Sequence, residues 1–179
     1  MIRDRAGVRI EPASAERREE FLAAARRSAR LHHPWVSPPT TPKQFAAYLA
    51  RQNGTTHLGY LAFSRSDDLV GVVNVSEIVR GVFQSAYLGF YAFAPHEGHG
   101  YMSAALSAVI GKCFRKHGLH RLEANIQPEN TRSIALVRRL GFRKEGFSER
   151  YLKIDGRWRD HERWAILREG WHGASDRTN

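Results

Sequence analysis

The chain has 179 residues, 42% of them hydrophobic, and carries 28 Lys and Arg against 18 Asp and Glu, a formal net charge of +10. That length suits one domain with a real core; no run approaches the roughly 18 apolar residues of a membrane span, and the start Met1-Ile2-Arg3-Asp4-Arg5 lacks the apolar centre of a signal peptide, so a cytoplasmic protein without membrane contact is expected. A single cysteine excludes a disulfide framework, while the basic balance favours a polyanionic partner or ligand without choosing among RNA, ribosome, membrane surface and phosphorylated cofactor.

In chain order, Val8-Arg9-Ile10 reads as a short strand ending at Pro12, and Phe21, Leu22, Ala25 and Ala29 form the inner stripe of a helix from about Ala15 to Arg30. The prolines in His32-His33-Pro34-Trp35-Val36-Ser37-Pro38-Pro39 make that stretch a loop. Thr41-Pro42-Lys43-Gln44 fits a capping box with proline at the first helical position, predicting a helix to about Gln52 that stops near Gly54. From His57 the pattern becomes β, with strands Leu58 to Ser64, Leu69 to Val79 and Ser85 to Phe93 as an antiparallel meander. A long helix follows the glycines at 98 and 100 and ends at Gly118, burying Met102, Ala105, Leu106, Val109, Ile110, Cys113 and Phe114. His120 to Gln127 is a strand, and a helix from Asn130 or Thr131 to Gly141 buries Ile134, Val137 and Leu140. Phe147 to Ile154 and Trp158 to Leu167 flank Asp155-Gly156, a two-residue hairpin signal. There is no internal repeat or linker. The order β-α-α-β-β-β-α-β-α-β-β predicts one α+β domain over residues 1–171, a mixed and mostly antiparallel sheet with helices on both faces, and a polar, disordered tail over 172–179.

The chemistry concentrates after the third meander strand. In Glu97-Gly98-His99-Gly100-Tyr101-Met102-Ser103 two glycines precede a helix start, where unpaired N–H groups and the positive end of the helix dipole form a site for an anion or pyrophosphate. The third glycine of a dinucleotide fingerprint and the Gly-Lys-Ser/Thr of a P-loop are both absent. His32 and His33 are adjacent rather than at i and i+4, with no cysteine or carboxylate cluster to complete a site, so no metal is expected. Cys113 lies on the inner face of its helix and reads as a core thiol.

The loop resembles the acetyl-CoA pyrophosphate loop of the GNAT N-acetyltransferases, whose pattern Gln/Arg-x-x-Gly-x-Gly/Ala maps onto Glu97, Gly100 and Met102, departing at Glu97 and Met102. Tyr87-Leu88-Gly89-Phe90, the run from Asn125 to Ser133, and Leu140-Gly141-Phe142 onward are similar to the RimJ/RimL branch of that family. Asn74 to Gly81 and Asp155 to His161 point to the RimJ type. The resemblance implies transfer of acetyl from acetyl-CoA to a primary amine, typically the N-terminal α-amine of a ribosomal protein, by direct transfer in a ternary complex. It further implies a monomer or homodimer that meets the ribosome.

By the same resemblance, the strand ending at Tyr91-Ala92-Phe93 would splay from the strand at His120 to Gln127 and bind the pantetheine arm through the main chain of Tyr91 and Phe93. Gly98, His99, Gly100, Tyr101, Met102 and Ser103 would hold the pyrophosphate. Asn130 would hold the arm or a water, and Ser133 would protonate the departing thiolate. Where other members carry a glutamate five residues before the asparagine, this chain has Asn125, leaving Glu77 as the candidate base, with Glu149 and Asp160 as weaker ones. The enzymatic alternative is the same fold acetylating an antibiotic, polyamine or amino-acid derivative. From another class, a basic ribosome- or RNA-binding module without catalysis fits the charge, but not an intact Asn130 and Ser133.

Overall fold

The computed structural model describes residues 7–173, and the tail from 174 lies outside them. The meander is present as β2 (Leu58–Phe63), β3 (Leu69–Val79) and β4 (Ser85–Ala92), paired antiparallel in that order, with β1 (Arg9–Pro12) added antiparallel to β2. β5 (Arg121–Ile126) joins β4 in parallel, and β6 (Arg143–Ile154) and β7 (Arg157–Leu167) form the hairpin, giving a seven-stranded sheet in the order β1-β2-β3-β4-β5-β7-β6. Parallel pairing requires a crossover, and the chain supplies it between β4 and β5 with the long helix α4 (Tyr101–Arg115). The expected mixed, mostly antiparallel sheet with helices on both faces is what forms.

The period-two alternation divides the side chains between two cores. On one face Val70, Val73, Leu88, Leu122 and Ala124 pack with Leu106, Val109, Ile110 and Cys113 of α4 and with Val137 of α5 (Thr131–Arg139). On the other, Leu61, Phe63, Val72, Tyr91 and Phe93 meet α1 (Arg18–Arg27) and α3 (Pro42–Arg51) through Phe21, Leu22, Phe45 and Tyr48. Each fully buried phenylalanine there contributes about 1.5–3 kcal/mol relative to exposure. Tyr48 then ties its helix to the sheet, its hydroxyl donating to Asn74 Oδ1 at 2.8 Å.

Two elements differ from the sequence reading. The helix expected to run from Ala15 to Arg30 is divided into a 3-10 turn (Ala15–Arg17), α1 and the short α2 (Ala29–His32), with a break at Ser28 (φ −96°, ψ 8°). The Ser28 hydroxyl donates to the Ala24 carbonyl at 2.7 Å, the local side-chain bond that competes with helix continuation. Strand β6 begins at Arg143 rather than Phe147. Arg143-Lys144-Glu145 has no apolar alternation, and it is held as strand by pairing with β7 and by the ion pairs Arg121–Glu145 and Lys144–Glu162. The Asp155-Gly156 turn is as expected, with both residues in the left-handed region (φ 47° and 76°) that a two-residue hairpin needs.

Candidate active site

Strands β4 and β5 pair only over Ser85↔Arg121, Ala86↔Leu122 and Tyr87↔Glu123. Beyond that point β4 continues against β3 and β5 continues against β7, so a V opens between them, as the resemblance led one to expect. A strand edge opened within a sheet offers main-chain donors and acceptors to an extended ligand.

Which main-chain groups face the opening follows from hydrogen-bond phase. Phe93 donates its N–H to the Val70 carbonyl at 2.9 Å, and Tyr91 lies opposite Val72 two residues back, so by antiparallel alternation both turn their main chain to β3. Tyr91 and Phe93, expected to contact the ligand arm through the main chain, are therefore out of step by one residue, and Leu88 and Phe90 face the V. The Tyr91 and Phe93 side chains belong to the core beneath α1 and α3.

The end of β4 is anchored by polar groups of α1 and α2. His32 Nε2–H donates to the Ala92 carbonyl at 2.8 Å, Arg27 Nε–H donates to the Ala94 carbonyl at 2.7 Å, and the Ala94 N–H donates to the Ser28 hydroxyl at 2.9 Å. His32 and Ser28 are buried, and burial holds the His32 imidazole below its ordinary pKa against the opposing pull of the Ala92 bond. Sequence reasoning missed these residues as parts of the site, since their partners lie about sixty residues away and no local pattern marks them.

The glycine loop follows. Gly98 and Gly100 adopt φ of 81° and 83°, and Gly100 is the N-cap of α4 without any side-chain cap bond. Ala104 N–H closes the first turn on the Gly100 carbonyl at 3.2 Å, while the N–H groups from Gly98 to Ser103 have no protein acceptor among the described residues. These are donors gathered at the positive end of a helix of 15 residues, the arrangement that receives a pyrophosphate. The Met102 side chain turns away from the loop, its sulfur packed against Gly71 of β3.

On the far arm of the V, Asn130 caps α5, its Oδ1 accepting from the Ser133 N–H at 3.2 Å. That leaves the Asn130 Nδ2 and the Ser133 hydroxyl at the helix start. Asn125 Oδ1, on β5 just beyond the last β4–β5 pair, is buried with no hydrogen-bond partner. Glu77 sits on a β3 bulge between Ser76 and Val79, with φ 50°, its side chain 68% exposed and its Oε1 3.5 Å from His57 Nε2. With Arg51, Gln52, His57, Ser76 and Gly89 it lines a cavity of about 320 Å³ on the α3 side of the sheet. Glu149 and Asp160 lie on the β6–β7 hairpin, where Asp160 Oδ1 accepts the Arg150 N–H at 2.7 Å.

A second cavity, of about 350 Å³, lies between the loop after α2, the end of β5 and the hairpin, among Trp35, Gln127, Glu129, Trp158, Arg159 and Asp160. Gln127 Nε2–H donates to the Pro34 carbonyl at 3.3 Å, and Ser37 donates to Asp155, holding loop and hairpin together. Cys113, at 0% exposure, touches neither cavity; burial, only partly opposed by Arg80, pushes its thiol up to about 12. Among the described residues no group of three or more His, Cys, Asp and Glu is placed to hold a metal ion, and no helix is long and apolar enough to cross a membrane.

Comparison with known proteins agrees with this geometry. The acetyltransferase (GNAT) domain family matches residues 8–143. The probable N-acetyltransferase YjcK of Bacillus subtilis is 36% identical over 126 residues, 70% of each chain. The [ribosomal protein uS5]-alanine N-acetyltransferase of Escherichia coli is 44% identical over 104 residues, covering 58% of this chain and 54% of that enzyme. The solved structure of Mycobacterium smegmatis RimJ in complex with CoA-disulfide superposes with a TM-score of 0.82 at 28% identity, over 90% of this chain and 82% of that one.

Proposed function

We propose, for a chain that belongs to the acetyltransferase (GNAT) family and is an acetyl-CoA-dependent N-acetyltransferase, that the acceptor is the N-terminal α-amine of a ribosomal protein. The observation that carries the cofactor side is the V between β4 and β5 leading to the unpartnered N–H groups from Gly98 to Ser103. The acceptor is supported by the likeness to the uS5-alanine N-acetyltransferase over about half of that enzyme's length. Such an acceptor implies contact with the ribosome or its unassembled proteins in the cytoplasm, to which a net charge of +10 is suited.

Acetyl-CoA supplies an activated acyl group; the chain's residues orient it and manage protons. The N–H groups of the loop take the pyrophosphate, with His99 and Tyr101 contributing main chain, and Leu88 and Phe90 take the pantetheine amides. An α-amine with a pKa of about 7.7–8.0 is partly neutral at pH 7, so a weakly placed base is sufficient. Glu77 is that base in this reading, supported by its place in the cavity beside Gly89, where nothing lies within 4 Å of the position a Cβ would take. The Asn130 Nδ2, left over from capping, holds the arm or a water, and the Ser133 hydroxyl gives the departing thiolate its proton. With Cys113 buried, transfer is direct rather than through an acyl-cysteine.

The test is calorimetric titration with acetyl-CoA, then thiol release against peptides beginning with Ala or Ser and against small amines. Turnover of the peptides is expected, and turnover of small amines alone would move the assignment to a small-molecule acetyltransferase. Glu77→Gln is expected to lower kcat most steeply at low pH while leaving acetyl-CoA affinity unchanged; an unaltered pH profile removes Glu77 as the base. Asn130→Asp keeps the capping oxygen and loses the donor, so a fall in kcat without a fall in Tm is expected.

A further inference from the structure

The cavity of about 350 Å³ beside the hairpin is a preformed chamber next to the reaction centre: Gln127 and Glu129 belong to the turn that carries the chain from β5 to Asn130, where the Asn130 N–H donates to the Gln127 carbonyl at 2.9 Å. We propose that this chamber receives a lysine or arginine side chain of the acceptor polypeptide, near the amine that is acetylated. The proposal rests on the polypeptide reading above and adds to it the chemistry of the residue that is recognised.

Two indoles, Trp35 and Trp158, line the chamber together with two carboxylates, Glu129 and Asp160. Aromatic faces beside carboxylates are the combination that selects a cation, through the ring quadrupole and the opposite charge. Trp158 is 59% exposed on β7, an apolar surface left open beside the site. The Glu129 carboxylate has no hydrogen bond or ion pair among the described residues, whereas Glu123, Glu145 and Glu162 are each paired with Arg or Lys. Asp160 spends Oδ1 on the Arg150 N–H and keeps Oδ2.

Arg159 is the one cation among the residues lining the chamber, and its Nε is buried without an acceptor. A buried donor of this kind is costly unless satisfied. The chamber is held in shape before any ligand arrives by Gln127 on the Pro34 carbonyl and by Ser37 on Asp155, so little ordering accompanies binding.

The experiment uses the full chain and a set of Ala-starting peptides of equal length that differ at the second and third residues: lysine, arginine, the neutral isostere norleucine, or glutamate. Basic peptides are expected to exceed norleucine peptides in kcat/KM by about tenfold, mainly through KM, a ratio that lies between the size of an exposed and of a desolvated cation–π contact. In Trp158→Ala and in the Glu129→Gln/Asp160→Asn double variant that ratio should fall toward one. Acetyl-CoA titration of the same variants checks that they are folded, and Asp160→Asn keeps the oxygen that caps Arg150. Equal kcat/KM for basic and norleucine peptides would overturn the inference and leave the polypeptide reading intact. Turnover of polyamines with no turnover of any peptide would overturn the polypeptide reading and the inference with it.

Discussion

Helices α3 and α4 begin in opposite ways. At α3 the Thr41 hydroxyl accepts the Gln44 N–H at 3.3 Å, and Gln44 Oε1 accepts the N–H groups of Thr41 and Thr40 at 3.2 and 2.9 Å, with Pro42 in the first turn removing one donor that would need a partner. At α4 a left-handed glycine stands where the cap would be, and no side chain closes the end. One start is finished by its own sequence; the other keeps its N–H groups open, and in the function proposed above they take the pyrophosphate. An uncapped helix start can serve a ligand only where something else holds it in place. That something is the set of bonds from Arg27, Ser28 and His32 to the end of β4.

The comparison breaks first at Gly100. A β-branched residue at φ 83° is strained by about 1–3 kcal/mol and would turn the N–H groups away from their common focus, so Gly100→Val should weaken acetyl-CoA binding by at least about tenfold in a folded protein whose Tm is lowered by a few degrees. Calorimetry on the folded variant decides; unchanged affinity would remove the loop from the site. Next in size is Ser28→Ala. It leaves the Ala94 N–H without an acceptor, at about 1–3 kcal/mol, and should lower both Tm and acetyl-CoA affinity because the loop's anchor is lost. Thr41→Ala, by contrast, should cost about 1 kcal/mol in denaturant unfolding with no change in acetyl-CoA affinity. A shift in affinity would show that the two helix starts are coupled.

The smallest effect concerns acidification. His32 has a depressed pKa in the fold, so below its unfolded value of about 6.5 the unfolded chain binds a proton that the native chain resists. Stability is therefore full above that pH and falls as pH is lowered through the folded pKa. Burial depresses His161 in the same direction, and His117 is lowered by burial and by its cationic neighbours Lys116, Arg80 and Lys112. The slope of Tm between pH 7 and 5 should flatten in part, not fully, in His32→Gln.

Much of this architecture is written locally. The capping box at Thr41, the Asp155-Gly156 turn and the one-faced pattern of α4 are short-range signals, and each formed where its residues stand. The turn at Gly98 and Gly100 and the helix start behind it were legible for the same reason. The main-chain phase of β4 was not: alternation tells which face Tyr91 and Phe93 occupy, but which edge their N–H groups serve depends on the register with β3, fixed by contacts some twenty residues away. The anchoring roles of Ser28 and His32 are likewise products of tertiary partners, Ala94 and Ala92. Glu97 shows the same limit from the other side, since its buried, unpartnered Oε2 could not be inferred from a loop pattern.

Cys113 is the one sulfhydryl of the chain, and it is sealed between α4 and the sheet with its thiol pushed up to about 12. The native protein therefore offers almost no thiolate to peroxide, to disulfides or to alkylating reagents. Turnover should persist in oxidising buffers without added reductant, and every thiol that a colorimetric reagent detects in the native mixture should come from CoA.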